Sequence, residues 1–318
     1  MSSKKYGGRF HKGISSLRVS KDLESLAIES YLSALDCPRA LTVLILFREG
    51  EHEQLAGLEF NPKFYDSFVE LRAAYAATKF LSKFTGLTLE RDLDEVAMQK
   101  FMQFEDLCKQ TNHRFRNLER DPKFKGRVVY LHHAVTRKIS KMLGDFSADE
   151  LFSMPNWGPG ASTLIKRRDA SPAKKFRLEV GITRDLYSLI PWEVLEAAYP
   201  LWANQLVDSG FPNFQVGNRV ITVPKDATTN RVIAVEPGLN LWFQKAVGDM
   251  IGQRLRRYGV DLRYQSRNQE LARVGSITSH LATIDLSSAS DSISIGVVEE
   301  LLPRRWFILM DCCRSHYG

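Results

Sequence analysis

The chain has 318 residues, 44% hydrophobic and 25% charged, the balance of an ordinary globular protein with room for two domains. Lys and Arg outnumber Asp and Glu by 44 to 37, a net charge of +7, which suits a polyanionic partner without demanding one. Cys37, Cys108, Cys312 and Cys313 have neither zinc-site nor disulfide-framework spacing, Met1–Lys12 is polar and basic with no apolar stretch after it, and Ala40–Phe47 is too short to span a bilayer; a reducing cytoplasm is therefore the expected compartment, without secretion or a membrane.

The first half reads as helical. Leu23, Ala27, Tyr31 and Leu35 repeat at helical spacing after Ser20, and Pro38 closes that segment. Asn61-Pro62 reads as a cap with a first-turn proline, and Phe64, Phe68, Leu71 and Tyr75 then form a stripe ending before Gly86. Val96, Phe101, Phe104 and Leu107 mark a third helix. Val128, Leu131, Val135, Ile139 and Met142 mark a fourth, closed by Gly144. Stripes of this kind are expected to form core.

At Pro155 the pattern changes. Glycines and prolines interrupt Pro155–Thr163, and Lys166, Arg167, Arg168, Lys174, Lys175 and Arg177 follow with Asp169 as their only acid. A small-residue loop with a basic flank suits close approach to a phosphate backbone, and equally describes a solvated surface loop. Phe214–Val223 reads as a hairpin about Gly217-Asn218, and Arg231–Val235 as a short strand. A helix opens at Pro237-Gly238 and ends at Gly259. Its last turn carries Arg254, Arg256 and Arg257, which complement the helix C-terminus and suit RNA equally. Leu281–Leu286 reads as an apolar strand holding one acid, and Asp291 or Ser292 as the cap of a helix stopping at Pro303.

Two segments hold residues fit for chemistry. Asp285 sits in an otherwise apolar run, a costly position unless a cation or hydrogen bonds compensate the charge, and a hard divalent ion would do so. Asp291 follows six residues later across a Ser/Ala turn. The spacing alone leaves Asp285 open between metal ligand and strand-end acid, and Asp291 between site residue and helix cap. Lys225 and Arg231 flank a polar loop between two β-like runs. Cations so placed suit a triphosphate, and a surface ion pair of Arg231 with Glu236 is the alternative.

The runs Val223-Pro224-Lys225, Glu236-Pro237-Gly238-Leu239-Asn240, Gly259-Val260-Asp261-Leu262, Gly275-Ser276 and Leu281–Ser294, with the closing Arg314–Gly318, resemble the replicase β subunit of the single-stranded RNA bacteriophages, the Q-beta type. The resemblance is dense from about Phe214 onward and thinner upstream, where the Gly160–Thr163 loop carries it. It implies an α+β fold: a helical N-terminal region over 1–150, polymerase fingers over 151–270, and the beginning of a right-hand palm over 271–318. The activity implied is template-directed RNA synthesis by two-Mg²⁺ nucleotidyl transfer, in the cytoplasm of a bacterial host. Asp285 then matches the first metal-binding aspartate, with the Leu286 carbonyl as a further Mg²⁺ ligand. Asp291 and Ser290 match the incoming ribose, and Lys225 and Arg231 the triphosphate grip. Gly158, Gly160, Ser162, Lys166, Arg167 and Arg168 match a template contact. The implied partners are template and product RNA, nucleoside triphosphates, the host elongation factors Tu and Ts, and a ribosomal RNA-binding protein. Arg263-Tyr264-Gln265 departs from the family's Asn-Asp-Gln, and no Gly-Asp-Asp run occurs in the sequence. The expectation is thus the N-terminal part of a polymerase, with an incomplete metal site and no synthesis by itself; a non-catalytic RNA-binding protein with a fingers-like fold is the alternative.

Overall fold

The computed structural model describes residues 21–318, so Met1–Lys12 and Ser20 lie outside the described residues. The chain forms two compact units, one from Met1–Ala97 with Val223–Arg231 and the other from Met98–Thr222 with Val232–Gly318. Helices dominate both, with two small two-stranded sheets among the described residues, in keeping with the α+β expectation. No helix is long and apolar enough to cross a membrane among them.

The first unit is built from the helices Lys21–Ala34, Pro38–Arg48, His52–Ala56 and Phe68–Phe80. Pro38 does more than end the first helix. It occupies the first turn of the second, where its fixed φ is pre-set for helix and its missing N–H costs nothing. Ile28, Leu32, Ala40, Val43, Leu44, Leu55, Ala77 and Leu81 form the core. The buried ridge of the first helix is therefore Ile28/Leu32, one step round from the expected Leu23/Ala27/Tyr31. The stripe Phe64, Phe68 and Tyr75 is also largely exposed, at 79, 75 and 51%, because Ala74 and Ala77 let neighbouring helices approach more closely than aromatic rings would.

The second unit is organised on the helix Gly238–Arg257, which buries Leu239, Trp242, Phe243, Ala246, Val247 and Met250. Around it lie the helices Arg127–Leu143, Ala148–Ser153 and Arg304–Cys313 and the strand β1, Gly181–Ile182. Trp242 also meets Trp157, Trp202 and Phe176 in a cluster with ring centroids 4.7 to 5.8 Å apart. The stripe residues Val128 and Leu131 face solvent, whereas Ile139 and Leu143 reach this core.

Three expected strand and cap features differ. The Gly217-Asn218 turn joins two different sheets: β2, Asn213–Phe214, pairs in parallel with β1, and β3, Arg219–Pro224, pairs with β4, Asn230–Val235. Gly217 has no room for a side chain, since a Cβ there would lie 1.9 Å from the Tyr317 carbonyl oxygen, which also accepts from the Asn218 amide at 3.0 Å. Leu281–Leu286 is not a strand. Among the described residues no strand pairs with it, and Ile284 and Leu286 stand 85 and 70% exposed. The last helices are Ile295–Leu301, entered from Ser294 rather than Asp291 or Ser292, and Arg304–Cys313 beyond Pro303.

Arg254 binds this unit together from inside. It is 7% exposed, and its Nη atoms donate to Glu150 Oε1 and Oε2 at 2.5 and 2.9 Å. The same guanidinium donates to the carbonyls of Leu143, Asp145 and Met250 and stands 4.8 Å from the Trp306 ring centroid. Every donor is engaged within the protein, so Arg254 is no RNA contact. Replacing it by Ala strands Glu150 and is expected to cost about 3–5 kcal/mol in denaturant unfolding. Arg254 also holds the Glu150 carboxyl below its ordinary value of 4.5. With a depressed folded pKa, the stabilisation is complete above that value and is lost as pH falls through the folded one. Glu150→Gln should therefore flatten the stability–pH curve below about pH 4.5, measured by thermal melting; an unchanged acid slope would contradict the pairing.

Candidate functional site

The loop after Pro155 is held by its backbone. Ser162 and Ile165 exchange amide–carbonyl bonds at 3.0 and 3.2 Å, and the Thr163 amide donates to the Glu236 carbonyl at 3.1 Å. The Gly158 and Gly160 carbonyls accept from Lys175 Nζ at 2.6 Å each. Ser162 is buried at 2% exposure beside Val180 and Gly238, so its side chain belongs to the loop's anchor rather than its outer face. Lys166, Arg167 and Arg168 stand exposed at the turn Arg167–Asp169. Asp169 takes Lys174 at 2.5 Å and Arg168 at 3.3 Å, and the Lys174 hydrogen bond chiefly lowers its pKa. Lys166 and Arg167 have no ion-pair partner among the described residues.

Lys225 and Arg231 sit in the first unit, at the outer end of the β3–β4 hairpin. The Lys225 and Asp226 amides both donate to the Thr229 carbonyl, at 3.1 and 3.2 Å. Asp226 Oδ1 accepts from the Thr228 amide and hydroxyl at 3.0 and 2.9 Å. Burial pushes the Asp226 carboxyl up, and these bonds together with those of Thr229 outweigh it, leaving the pKa below the ordinary value. The loop is tied to the turn Leu81–Lys83: Ala227 N donates to Ser82 O at 2.9 Å, and Lys83 Nζ to Lys225 O at 2.7 Å. The pinned loop thus carries exposed Lys225, and exposed Arg231 follows at the start of β4. The alternative pair of Arg231 with Glu236 does not form; Glu236 instead accepts from Asn218 and Ser315 at 3.1 and 2.5 Å.

Asp285, Leu286, Ser290 and Asp291 share one irregular segment of the second unit, running into turns from Ser287. Asp285 and Asp291 are exposed, and Asp291 Oδ1 accepts from Ser290 Oγ at 3.1 Å. The Asp291 carbonyl meets Cys108 Sγ at 3.4 Å, which ties the segment to the helix Leu93–Arg116. The donors are hard oxygens of the kind Mg²⁺ takes. Among the described residues no three of His, Cys, Asp and Glu gather closely enough to hold a metal ion.

The best-built polar cluster lies at Glu236–Asn240. Asn240, fully buried, accepts from the Thr183 amide at 3.1 Å and donates to Thr183 Oγ1 at 2.9 Å and the Cys313 carbonyl at 3.0 Å. Gln244, one turn on, donates to the same carbonyl at 2.8 Å. Glu236 ties Asn218, Ser315 and Thr163 to one strand end. The sequence reading carried none of these as site residues, although an Asn within Leu239-Asn240-Leu241-Trp242 is the signature of a satisfied buried amide.

The sequence profile described as "RNA replicase, beta-chain" matches residues 27–318. The chain belongs to this family. It is 36% identical over 249 residues to the RNA-directed RNA polymerase subunit beta of Enterobacteria phage SP, covering 78% of this chain and 42% of that protein. With the subunit beta of Escherichia virus Qbeta the identity is 35% over 257 residues, 80% of this chain and 42% of the relative. The beta chain of Enterobacteria phage GA is 45% identical over 148 residues, 45% of this chain and 28% of its own length. The chain thus spans less than half the length of these curated relatives.

The run Glu236–Asn240 joins β4, the loop at Thr163 and the C-terminal Ser315. Gly238 admits no side chain, because a Cβ would lie 2.7 Å from Val180 Cγ1. Gly238→Ala should lower stability by about 1–3 kcal/mol in urea unfolding, and an unaffected midpoint would show that the contact is not tight.

Proposed function

We propose that this chain serves template-directed RNA synthesis as part of a phage RNA replicase, in the cytoplasm of an infected bacterium. The observation that carries the reading is the replicase β-chain match over residues 27–318 together with the polymerase names of its relatives. Residues 151–270 then read as fingers and 271–318 as the beginning of a palm, after a helical N-terminal region over 1–150. Lys225 on the pinned loop and Arg231 on β4, both exposed, grip the triphosphate of an incoming nucleotide. Asp291 and Ser290 meet its ribose, where a 2′-hydroxyl contact separates ribonucleotides from deoxyribonucleotides. The loop at Gly158 and Gly160 with Lys166, Arg167 and Arg168 holds the template backbone, Ser162 contributing from within. Asp285 and the Leu286 carbonyl contribute oxygens to a Mg²⁺ site. When bound, such ions activate the 3′ hydroxyl and stabilise the leaving pyrophosphate. The elongation factors Tu and Ts and a ribosomal RNA-binding protein are the proposed host partners.

One observation favours a second reading, a non-catalytic RNA-binding protein: the exposed, strandless setting of Asp285, with no cluster of three metal-binding side chains among the described residues. Both readings predict RNA binding that weakens with salt, because Lys and Arg contacts release counterions. Replacing Lys166 and Arg167 together by Ala should lower the slope of log K against log salt by about 1.4 to 1.8. Primer extension by the chain with Mg²⁺ and nucleoside triphosphates should give no product above background. Processive product would show that the metal site is complete, and failure to bind RNA at low salt would remove both readings.

A further inference from the structure

Lys175 follows the exposed Lys174 in the helix Pro172–Arg177, yet it is only 1% exposed. No carboxylate pairs with it among the described residues. Its Nζ donates to the carbonyls of Gly158 and Gly160 at 2.6 Å each and stands 5.6 Å from the Trp157 ring centroid. Burial pushes its pKa below the ordinary lysine value, whereas the two carbonyls and the ring face favour the ammonium. A buried ammonium is costly unless its donors are satisfied. Here the backbone of one loop takes two of the three N–H donors and the Trp157 ring face stands by the charge, so the charge and the loop conformation depend on each other. Trp157 is itself wedged among Phe176, Trp202 and Trp242, which fixes the near end of the loop.

That arrangement dictates what the loop shows to the outside. In a trans peptide the carbonyl and the following N–H point in opposite directions. Turning the Gly160 carbonyl inward to Lys175 turns the Ala161 N–H away from it, and Pro159 has no N–H to offer. The next amides are occupied, Ser162 by Ile165 and Thr163 by Glu236. The Ala161 amide is thus left without a hydrogen-bond partner among the described residues, and the exposed cations Lys166 and Arg167 come directly after the turn that Ser162 and Ile165 close. An amide donor with adjacent cations is an arrangement that takes phosphate oxygens.

We infer that Lys175 is a positioning residue for RNA: its buried ammonium holds Trp157–Ala161 in the conformation that presents the Ala161 amide and the Lys166–Arg168 turn to a phosphate of the strand. This rests on the reading of the loop as an RNA contact. Lys175 itself touches no phosphate. It therefore differs from the exposed cations in one measurable respect, since removing its charge releases no counterion on binding.

The test is titration of a labelled single-stranded RNA oligonucleotide with the full chain over a range of KCl concentrations. Lys175→Met should weaken binding about tenfold, the scale of a lost hydrogen-bonded charge, with the salt slope unchanged. Lys166→Ala should reduce the slope by about 0.7 to 0.9. A Lys175→Met chain with the parent's affinity overturns the inference, as does one whose slope falls like that of Lys166→Ala, which would make Lys175 a direct contact. Should Lys175→Met fail to fold, amine acylation of the unaltered chain decides. Lys175 should stay unmodified with and without RNA, while Lys166 reacts and is shielded by RNA. Acylation of Lys175 as fast as Lys166 overturns the inference. If the unaltered chain binds no RNA at low salt, the RNA reading itself fails and takes this inference with it.

Discussion

A guanidinium enclosed in the larger unit decides how its helices meet. Arg254 reaches the end of Arg127–Leu143 through the Leu143 carbonyl, the next loop through Asp145, the helix Ala148–Ser153 through Glu150, and Arg304–Cys313 through the Trp306 ring. An apolar side chain of the same size would fill the space, but it would not select among these partners, because apolar contact is non-directional. Five rigid donors are satisfied in only one arrangement. The helix Gly238–Arg257 is thereby fixed at its C-terminal end, and Asn240 fixes it at the other through Thr183 and Cys313.

Between those two points lies the apolar face that sequence periodicity could read. The helix was legible because Pro237-Gly238 opens it, Gly259 closes it in the left-handed region, and its apolar residues recur at helical spacing. The helical character of the first half was legible for the same reason. Which stripe each helix buries was not: Ile28/Leu32 and Leu23/Ala27/Tyr31 are both apolar ridges, and only the neighbouring helices choose between them. Leu281–Leu286 has the composition of a strand, but a strand exists only when another one pairs with it. The hairpin at Gly217-Asn218 failed differently. The local turn chemistry was right, but the Tyr317 carbonyl against Gly217 directs the chain from one sheet into the other.

The candidate site was legible as a set of segments and not as a geometry. The cations Lys166, Arg167, Lys225 and Arg231 are exposed. Lys175 and Arg254 carry the same charge in the sequence, yet both are spent inside the protein on carbonyls, a carboxylate and aromatic faces. Counting basic residues therefore overstates the charge at the surface, and only burial separates the two kinds. The motif residues Glu236, Gly238 and Asn240 divide in the same way. They carry the family resemblance while serving as joints, whereas Asp285, the residue with the chemical reading, lies in the least supported segment of the unit.

This chain builds a firm frame around Gly238–Arg257, and among the described residues the Asp285 segment has no strand partner. Native-state amide hydrogen exchange over the whole chain measures both at once. Amides of Gly238–Arg257 should exchange slowest, and those of residues 281–287 at rates near those of an unprotected chain. Protection of residues 281–287 equal to that of the helix would contradict the account.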